Sequence, residues 1–141
     1  MTALVIIPAA GSGSRLGGEV PKQFRLLAGT PILDRVIARF CDDARVGHIV
    51  VAVAEPQGRR STARVRFVAG GATRQESVIR ALAAAEGHFD VVAVHDAVRP
   101  FFKTTTFHAL LDAAAEHGAA FPAMAVTDTI HIARDGRLVS T

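Results

Sequence analysis

Val5-Ile6-Ile7-Pro8-Ala9-Ala10-Gly11-Ser12-Gly13-Ser14-Arg15-Leu16, followed by Pro21-Lys22-Gln23, has the residue types of a phosphate-holding loop. A polyphosphate is held best by several backbone N–H donors at close range, and only residues near Gly or Ala in size permit that approach. Ala9, Ala10, Gly11, Ser12 and Gly13 meet the condition. Arg15 offers a planar fork to two phosphate oxygens, and Lys22, seven residues on, offers a movable point charge. The plain alternative is a strand-to-helix turn with solvated basic side chains, since glycine-rich turns are common. Two cations in one loop weigh against it.

Two better-known phosphate loops fit poorly. No Gly-x-x-x-x-Gly-Lys-Ser/Thr string occurs. After Gly11 and Gly13 the next glycine is Gly17, one position late for the dinucleotide fingerprint. Glu55, which follows the second strand-like run and Ala54, keeps an NAD-dependent reductase as a weak option.

The elements that must position these residues alternate along the chain. Leu4–Pro8 predicts a first strand, Ile49–Ala54 a second and Arg64–Ala69 a third. Val91–Val94 predicts a fourth and Ala119–Val126 a fifth. Apolar residues recur at helical spacing over Pro31–Cys41, Gln75–Gly87 and Thr105–His117. Thr30 is the expected cap of the first helix, with Pro31 at its first position, and Gly87 and Gly118 are the expected stops of the other two. Asp135-Gly136 between Ile130–Ala133 and Arg137–Val139 is a hairpin turn signal. Continuous apolar strands alternating with helices imply an α/β fold, a Rossmann-like mostly parallel sheet with helices on both faces. Ligands in such sheets bind beyond the carboxyl ends of the strands. The loops Ala9–Gln23, Gly70–Arg74, His95–Pro100 and Thr127–Thr129 all fall there.

Composition narrows the classes. With 141 residues, half of them hydrophobic, the chain suits one domain, residues 1–141, with a real core. The apolar run Ala3–Ala10 is too short to span a membrane and has no basic leader, so the expected location is cytoplasmic, with no membrane partner. The single cysteine, Cys41, excludes an intramolecular disulfide and a cysteine-built metal site, and its apolar helical setting suggests burial. Net charge is only +3, and neither Trp nor Tyr is present for base stacking, so no nucleic-acid partner is expected despite the cluster Arg59, Arg60, Arg64 and Arg66. Anionic small molecules fit better. The hairpin has barely returned when the sequence stops at Thr141, and a lone ribbon is marginal. The expectation is that the chain is incomplete, or that the ribbon pairs with another subunit.

Taken in order, Pro8-Ala9-Ala10-Gly11-Ser12-Gly13-Ser14-Arg15-Leu16, Pro21-Lys22-Gln23, Gly70-Gly71-Ala72-Thr73-Arg74-Gln75-Glu76-Ser77-Val78, Val94-His95-Asp96-Ala97-Val98-Arg99-Pro100 and Asp128-Thr129 resemble the cytidylyltransferase family of the non-mevalonate isoprenoid pathway. That family joins CTP to 2-C-methyl-D-erythritol 4-phosphate. The resemblance implies a nucleotide-diphospho-sugar transferase-like fold and a requirement for Mg²⁺. The acceptor phosphate would attack the α-phosphorus of CTP in line, and pyrophosphate would leave. Arg15 and Lys22 match the basic residues that grip the triphosphate. The CTP site would comprise Ala9, Ala10, Gly11, Gly13, Gly71, Ser77, Asp96 and Ala97. Asp96, Arg99 and Thr129 would serve the polyol phosphate. Any metal would be held mainly by the CTP phosphates, with Asp96 as the one candidate protein ligand.

Each role has a plainer counterpart. Ser77 would otherwise be a solvated helix residue, Asp96 and Arg99 a structural ion pair, and Thr129 a strand threonine. His95 is expected to shape its loop rather than to move protons. Three departures stand out. Ala72 replaces the family's usual Asp. The segment Glu55–Ala63 is short and Arg-rich, so the usual helix there is expected to be missing. Relatives also continue past this point to complete a protruding arm, here begun at residues 127–141, which exchanges with a second subunit to form a homodimer. Ribitol-5-phosphate cytidylyltransferases share the His95–Phe101 pattern, and a CTP-binding module without transfer activity is a further reading.

Overall fold

The computed structural model describes residues 1–11, 20–56 and 58–140. In chain order the elements are β1 (Ala3–Ala9), a single 3₁₀ turn (Lys22–Phe24), β2 (Leu26–Leu27), β3 (Thr30–Pro31), α1 (Ile32–Cys41), β4 (Val46–Val53) and β5 (Val65–Ala69). There follow α2 (Arg74–Ala83), β6 (Val91–Val94), α3 (Thr104–His117), β7 (Ile132–Arg134) and β8 (Arg137–Ser140). The main sheet has the order β5-β4-β1-β6, and every pairing in it is parallel. All four strands therefore end on the same side, and the loops that follow them meet there.

Strand β1 is buried on both faces, with Leu4 to Ile7 only 0–1% exposed. Ala3, Val5, Ile7 and Ala9 join Leu33, Val36 and Phe40 of α1 and Phe107 and Leu111 of α3 in one core. Leu4 and Ile6 join Val50, Ala52 and Ala81 on the opposite face, beneath α2. Two covered faces explain an apolar run without alternation. Each fully buried aliphatic chain of this kind contributes roughly 1.5–3 kcal/mol. Val92 and Val94 lie in register with Leu4 and Ile6. They are nevertheless half-exposed, because α2 packs over β1 and β4 and leaves β6 open on that face.

Three local expectations need correction. Thr30 does not cap α1: the cap position is Pro31, with no side-chain bond, and Thr30 pairs instead with Leu27 in a short ribbon. Helix α2 ends at Ala83, before Gly87, with Ala84 as its cap. Beyond it Ala85 packs into the α2-face core and Glu86 pairs with Arg66, so the chain leaves the helix axis early. Ala119–Val126 forms no strand: these residues are exposed, and their backbone finds no neighbouring strand. The parallel sheet of the described residues has four strands, not five. The hairpin does form, with Asp135 at φ 50° and Gly136 at φ 73°, the positive values a two-residue turn of this kind requires. Gly118 ends α3 in the left-handed conformation, as its position predicts.

The arginine cluster is largely internal bracing. Arg64 donates to the carbonyls of Cys41, Asp43 and Val46, tying the end of α1 to the start of β4. Arg59 pairs with Asp34 at 3.0 Å and lies over the rings of Phe24 and Phe67. No helix occurs among the described residues of the 55–63 segment. Burial pushes the Cys41 thiol up in pKa more than Arg64 pulls it down, which keeps it a thiol. Among the described residues no helix is long and apolar enough to cross a membrane.

Candidate functional site

A cleft of about 680 Å³ opens at the carboxyl ends of the parallel strands. Three loops wall it. The loop after β1 brings Pro8, Ala9, Ala10 and Gly11, with Lys22 and Gln23 from the 3₁₀ turn. The loop after β5 brings Gly71, Ala72, Thr73 and Arg74, with Ser77 from the first turns of α2. The loop after β6 brings Asp96, Ala97 and Val98.

The second wall is held by side chains folded back onto backbone. Thr73 caps α2, its Oγ1 accepting from Glu76 N at 3.1 Å. Glu76 Oε2 in turn accepts from Ala72 N at 2.8 Å. Ser77 is buried and joins the loop to the helix: its Oγ accepts from Gly71 N and donates to Thr73 O, both at 3.0 Å. Arg80 donates to Gly70 O at 2.7 Å. Gly70 has no room for a side chain, since an added Cβ would lie 2.3 Å from Ala10 Cβ. The loops after β1 and β5 therefore touch through their smallest residues, and this close approach forms the inner end of the cleft.

The third wall carries charge. Asp96 Oδ1 accepts from Arg74 at 3.0 Å and Oδ2 from Arg99 Nε at 2.9 Å. Burial alone would raise the Asp96 pKa, but the two guanidiniums together outweigh it and hold the carboxyl below the usual range. Asp96 is thus an anion at neutral pH, facing the cleft between two cations. Lys22 has no carboxylate within ion-pair distance among the described residues, so its charge is undivided.

His95 sits behind this wall. Its Nε2–H donates to Arg99 O at 3.0 Å, and its ring meets Phe40 and Phe102 edge-on, at 5.0 and 4.8 Å between centroids. Burial lowers its pKa, partly offset by the Arg99 carbonyl. It therefore braces the loop as a neutral donor. A depressed folded-state pKa means that stability is complete above the unfolded value of about 6.5 and is lost as pH falls through the folded pKa. The wild-type protein should accordingly lose more stability between pH 7.5 and pH 5 than His95→Asn. Denaturant unfolding at a series of pH values reads the difference. Parallel pH curves would overturn it.

The structure brings Ala9, Ala10, Gly11, Lys22, Gly71, Ser77, Asp96 and Ala97 around one cleft. Arg99 reaches it through Asp96. Thr129 does not line it and is exposed, ahead of the β7–β8 ribbon. Arg15 and Gly13 lie outside the described residues. Glu55 is exposed at the end of β4 and lines no part of the cleft, so the NAD option gains nothing. Residue types alone single out neither Gln23 nor Arg74. Arg74 has a readable signal in the Thr73-x-x-Glu76 cap that contains it; Gln23 has none, because its partners are backbone carbonyls.

The family model described as IspD, 2-C-methyl-D-erythritol 4-phosphate cytidylyltransferase, matches residues 3–141. The chain belongs to this family. A Solibacter usitatus protein named 2-C-methyl-D-erythritol 4-phosphate cytidylyltransferase is 44% identical over 92% of the chain and 60% of its own length. One of the same name from Symbiobacterium thermophilum is 43% identical over 97% of the chain and 61% of its own length. Among solved structures, that of Francisella tularensis IspD superposes with a TM-score of 0.80 at 29% identity, over 99% of this chain and 65% of that one. The Thermus thermophilus enzyme gives 0.73 at 36% identity, over 99% and 64%. The chain thus spans about 60% of the length of these two curated relatives. Its parallel α/β sheet is the fold of this family.

Proposed function

We propose that this chain, as a single nucleotidyltransferase domain, transfers CMP from CTP to 2-C-methyl-D-erythritol 4-phosphate, releasing pyrophosphate, in isoprenoid precursor biosynthesis. The observation that carries the reading is the meeting of three signature loops in one cleft, with Lys22 and Asp96 on its walls. Ala9, Ala10, Gly71 and Ser77 supply a narrow, small-residue end for the cytosine. Ala97 and Asp96 lie where the ribose would pass. The triphosphate runs toward Gly11 and Lys22, with Arg15 and Gly13 assigned there by the family motif. A phosphate nucleophile is already ionised, so no general base is needed. Catalysis is then positioning and stabilisation of charge on the transferring phosphoryl group. Arg99 and Thr129 are assigned to the acceptor, the former supported by its bond to Asp96.

Among the described residues no three metal-binding side chains converge. One carboxylate beside an open cleft suits Mg²⁺, which takes one or two protein carboxylates and is otherwise held by substrate phosphates. Asp96 would hold it together with CTP oxygens. When bound it would neutralise phosphate charge. CTP as substrate supports a cytoplasmic enzyme, and the exposed β7–β8 ribbon supports a homodimer that exchanges this arm. The family match favours methylerythritol phosphate over ribitol phosphate as acceptor.

Pyrophosphate release from CTP and Mg²⁺ tests the reading, with 2-C-methyl-D-erythritol 4-phosphate, ribitol 5-phosphate or no acceptor. Release that depends on the first acceptor and stops with chelator is expected. CTP binding without release would move the reading to a nucleotide-binding module. Neither release nor binding by a folded sample would sink it.

A further inference from the structure

Three polar side chains are buried among the described residues: Gln23, Asp43 and Ser77. Asp43 accepts from His108 Nε2 at 2.8 Å, away from the cleft, and Ser77 braces the β5–α2 loop. Gln23 lines the cleft, and the reaction has no use for its chemistry. Its Nε2 donates to Ala9 O at 2.7 Å and to Gly11 O at 2.9 Å. An amide NH₂ has two hydrogens, so both are committed. In a trans peptide the carbonyl and the next N–H point opposite ways, so holding Ala9 O toward Gln23 turns the Ala10 N–H away from it. Gln23 also belongs to the turn that carries Lys22, closed by Phe24 N donating to Pro21 O at 2.9 Å and Arg25 N to Lys22 O at 3.2 Å.

We propose that Gln23 is a positioning residue that fastens the Lys22 turn to the 9–11 loop, so that the ammonium and the loop's backbone donors address one triphosphate. This rests on the cleft being a CTP site. Gln23 meets the base pocket only through the Ala9 carbonyl, so its larger effect falls on the β- and γ-phosphates. Gln23→Met keeps the side-chain length, removes both donors and leaves two carbonyls without their partner.

The test is equilibrium binding of CTP and of CMP, each with Mg²⁺, to the wild type, Gln23→Met, Lys22→Ala and the double variant. The two nucleotides share base, ribose and α-phosphate. Gln23→Met should weaken CTP binding by about tenfold, the scale of the lost bonds. Its effect on CMP should stay below about twofold, and in the Lys22→Ala background it should add less than about twofold for CTP, because both changes act through one group. Equal losses for CMP and CTP, or additive losses in the double variant, would show a merely structural role and overturn the proposal. Gln23→Asn keeps the amide on a shorter stem and should fall between; it carries the same CTP-against-CMP comparison should Gln23→Met not fold. Wild-type protein that binds neither nucleotide removes the CTP reading and this proposal together.

Discussion

Lys22→Ala is expected to lower acceptor-dependent pyrophosphate release by about 10²–10³-fold, the usual cost of losing one preorganised group that stabilises transition-state charge. The lysine stands on the cleft wall with no carboxylate partner among the described residues, so its full charge is available to the phosphates. In the proposed transfer that charge would matter most as negative charge shifts onto the departing pyrophosphate, so the turnover number should fall more than the affinity for CTP. Lys22→Arg should restore only part of the rate, because a planar fork replaces a compact movable ammonium. The fold should be unaffected, since no buried contact is lost. Steady-state kinetics with pyrophosphate detection, beside CTP binding and a thermal melt, separate these effects. A Lys22→Ala variant with turnover within about threefold of wild type would remove Lys22 from the transition state.

Phe40→Ala is expected to cost about 3–5 kcal/mol, the range for truncating a buried aromatic. Phe40 is fully buried, stacks on Phe102 at 4.6 Å and meets Phe107 edge-on at 5.2 Å. Domains are stable by only about 5–15 kcal/mol, so the loss is a large share of the total. A fall in melting temperature of roughly 10 °C or more follows for a domain of this size. Phe40 also touches His95, so the loop that carries Asp96 and Arg99 loses its support. CTP binding should therefore weaken in whatever fraction remains folded. Phe40→Leu, which keeps apolar volume, should cost less. A melting temperature within about 2 °C of wild type for Phe40→Ala would show that the aromatic cluster carries no such weight.

Much of the fold was legible because burial leaves its mark on residue type. The run from Leu4 to Ile7 has no alternation because both faces of β1 are covered, and that alone implies a parallel sheet under helices. Gly118 and Asp135-Gly136 were legible because a positive φ restricts which residues can stand there. The misplaced features depend on partners. Thr30 is an eligible cap, yet its place in a ribbon with Leu27 keeps it from acting as one. Gly87 is an eligible stop, yet packing of Ala85 and pairing of Glu86 end α2 sooner. Ala119–Val126 has the composition of a strand, but a strand exists only where a neighbour takes up its backbone bonds.

The candidate site divides the same way. The sequence by itself determined which loops could approach a phosphate, because Ala9, Ala10, Gly11, Gly70 and Gly71 are small, and which charges accompany them, because Lys22 and Asp96 flank short conspicuous motifs. Only the tertiary structure decided that Arg74 and Arg99 share one carboxylate, that Ser77 is a buried brace rather than a solvated helix residue, and that Gln23 ties two loops together. The physical reason is that close packing and turn conformation constrain residue type one position at a time. A hydrogen bond to a backbone carbonyl or a shared ion pair depends instead on distance in space, and a carbonyl is the same in every residue.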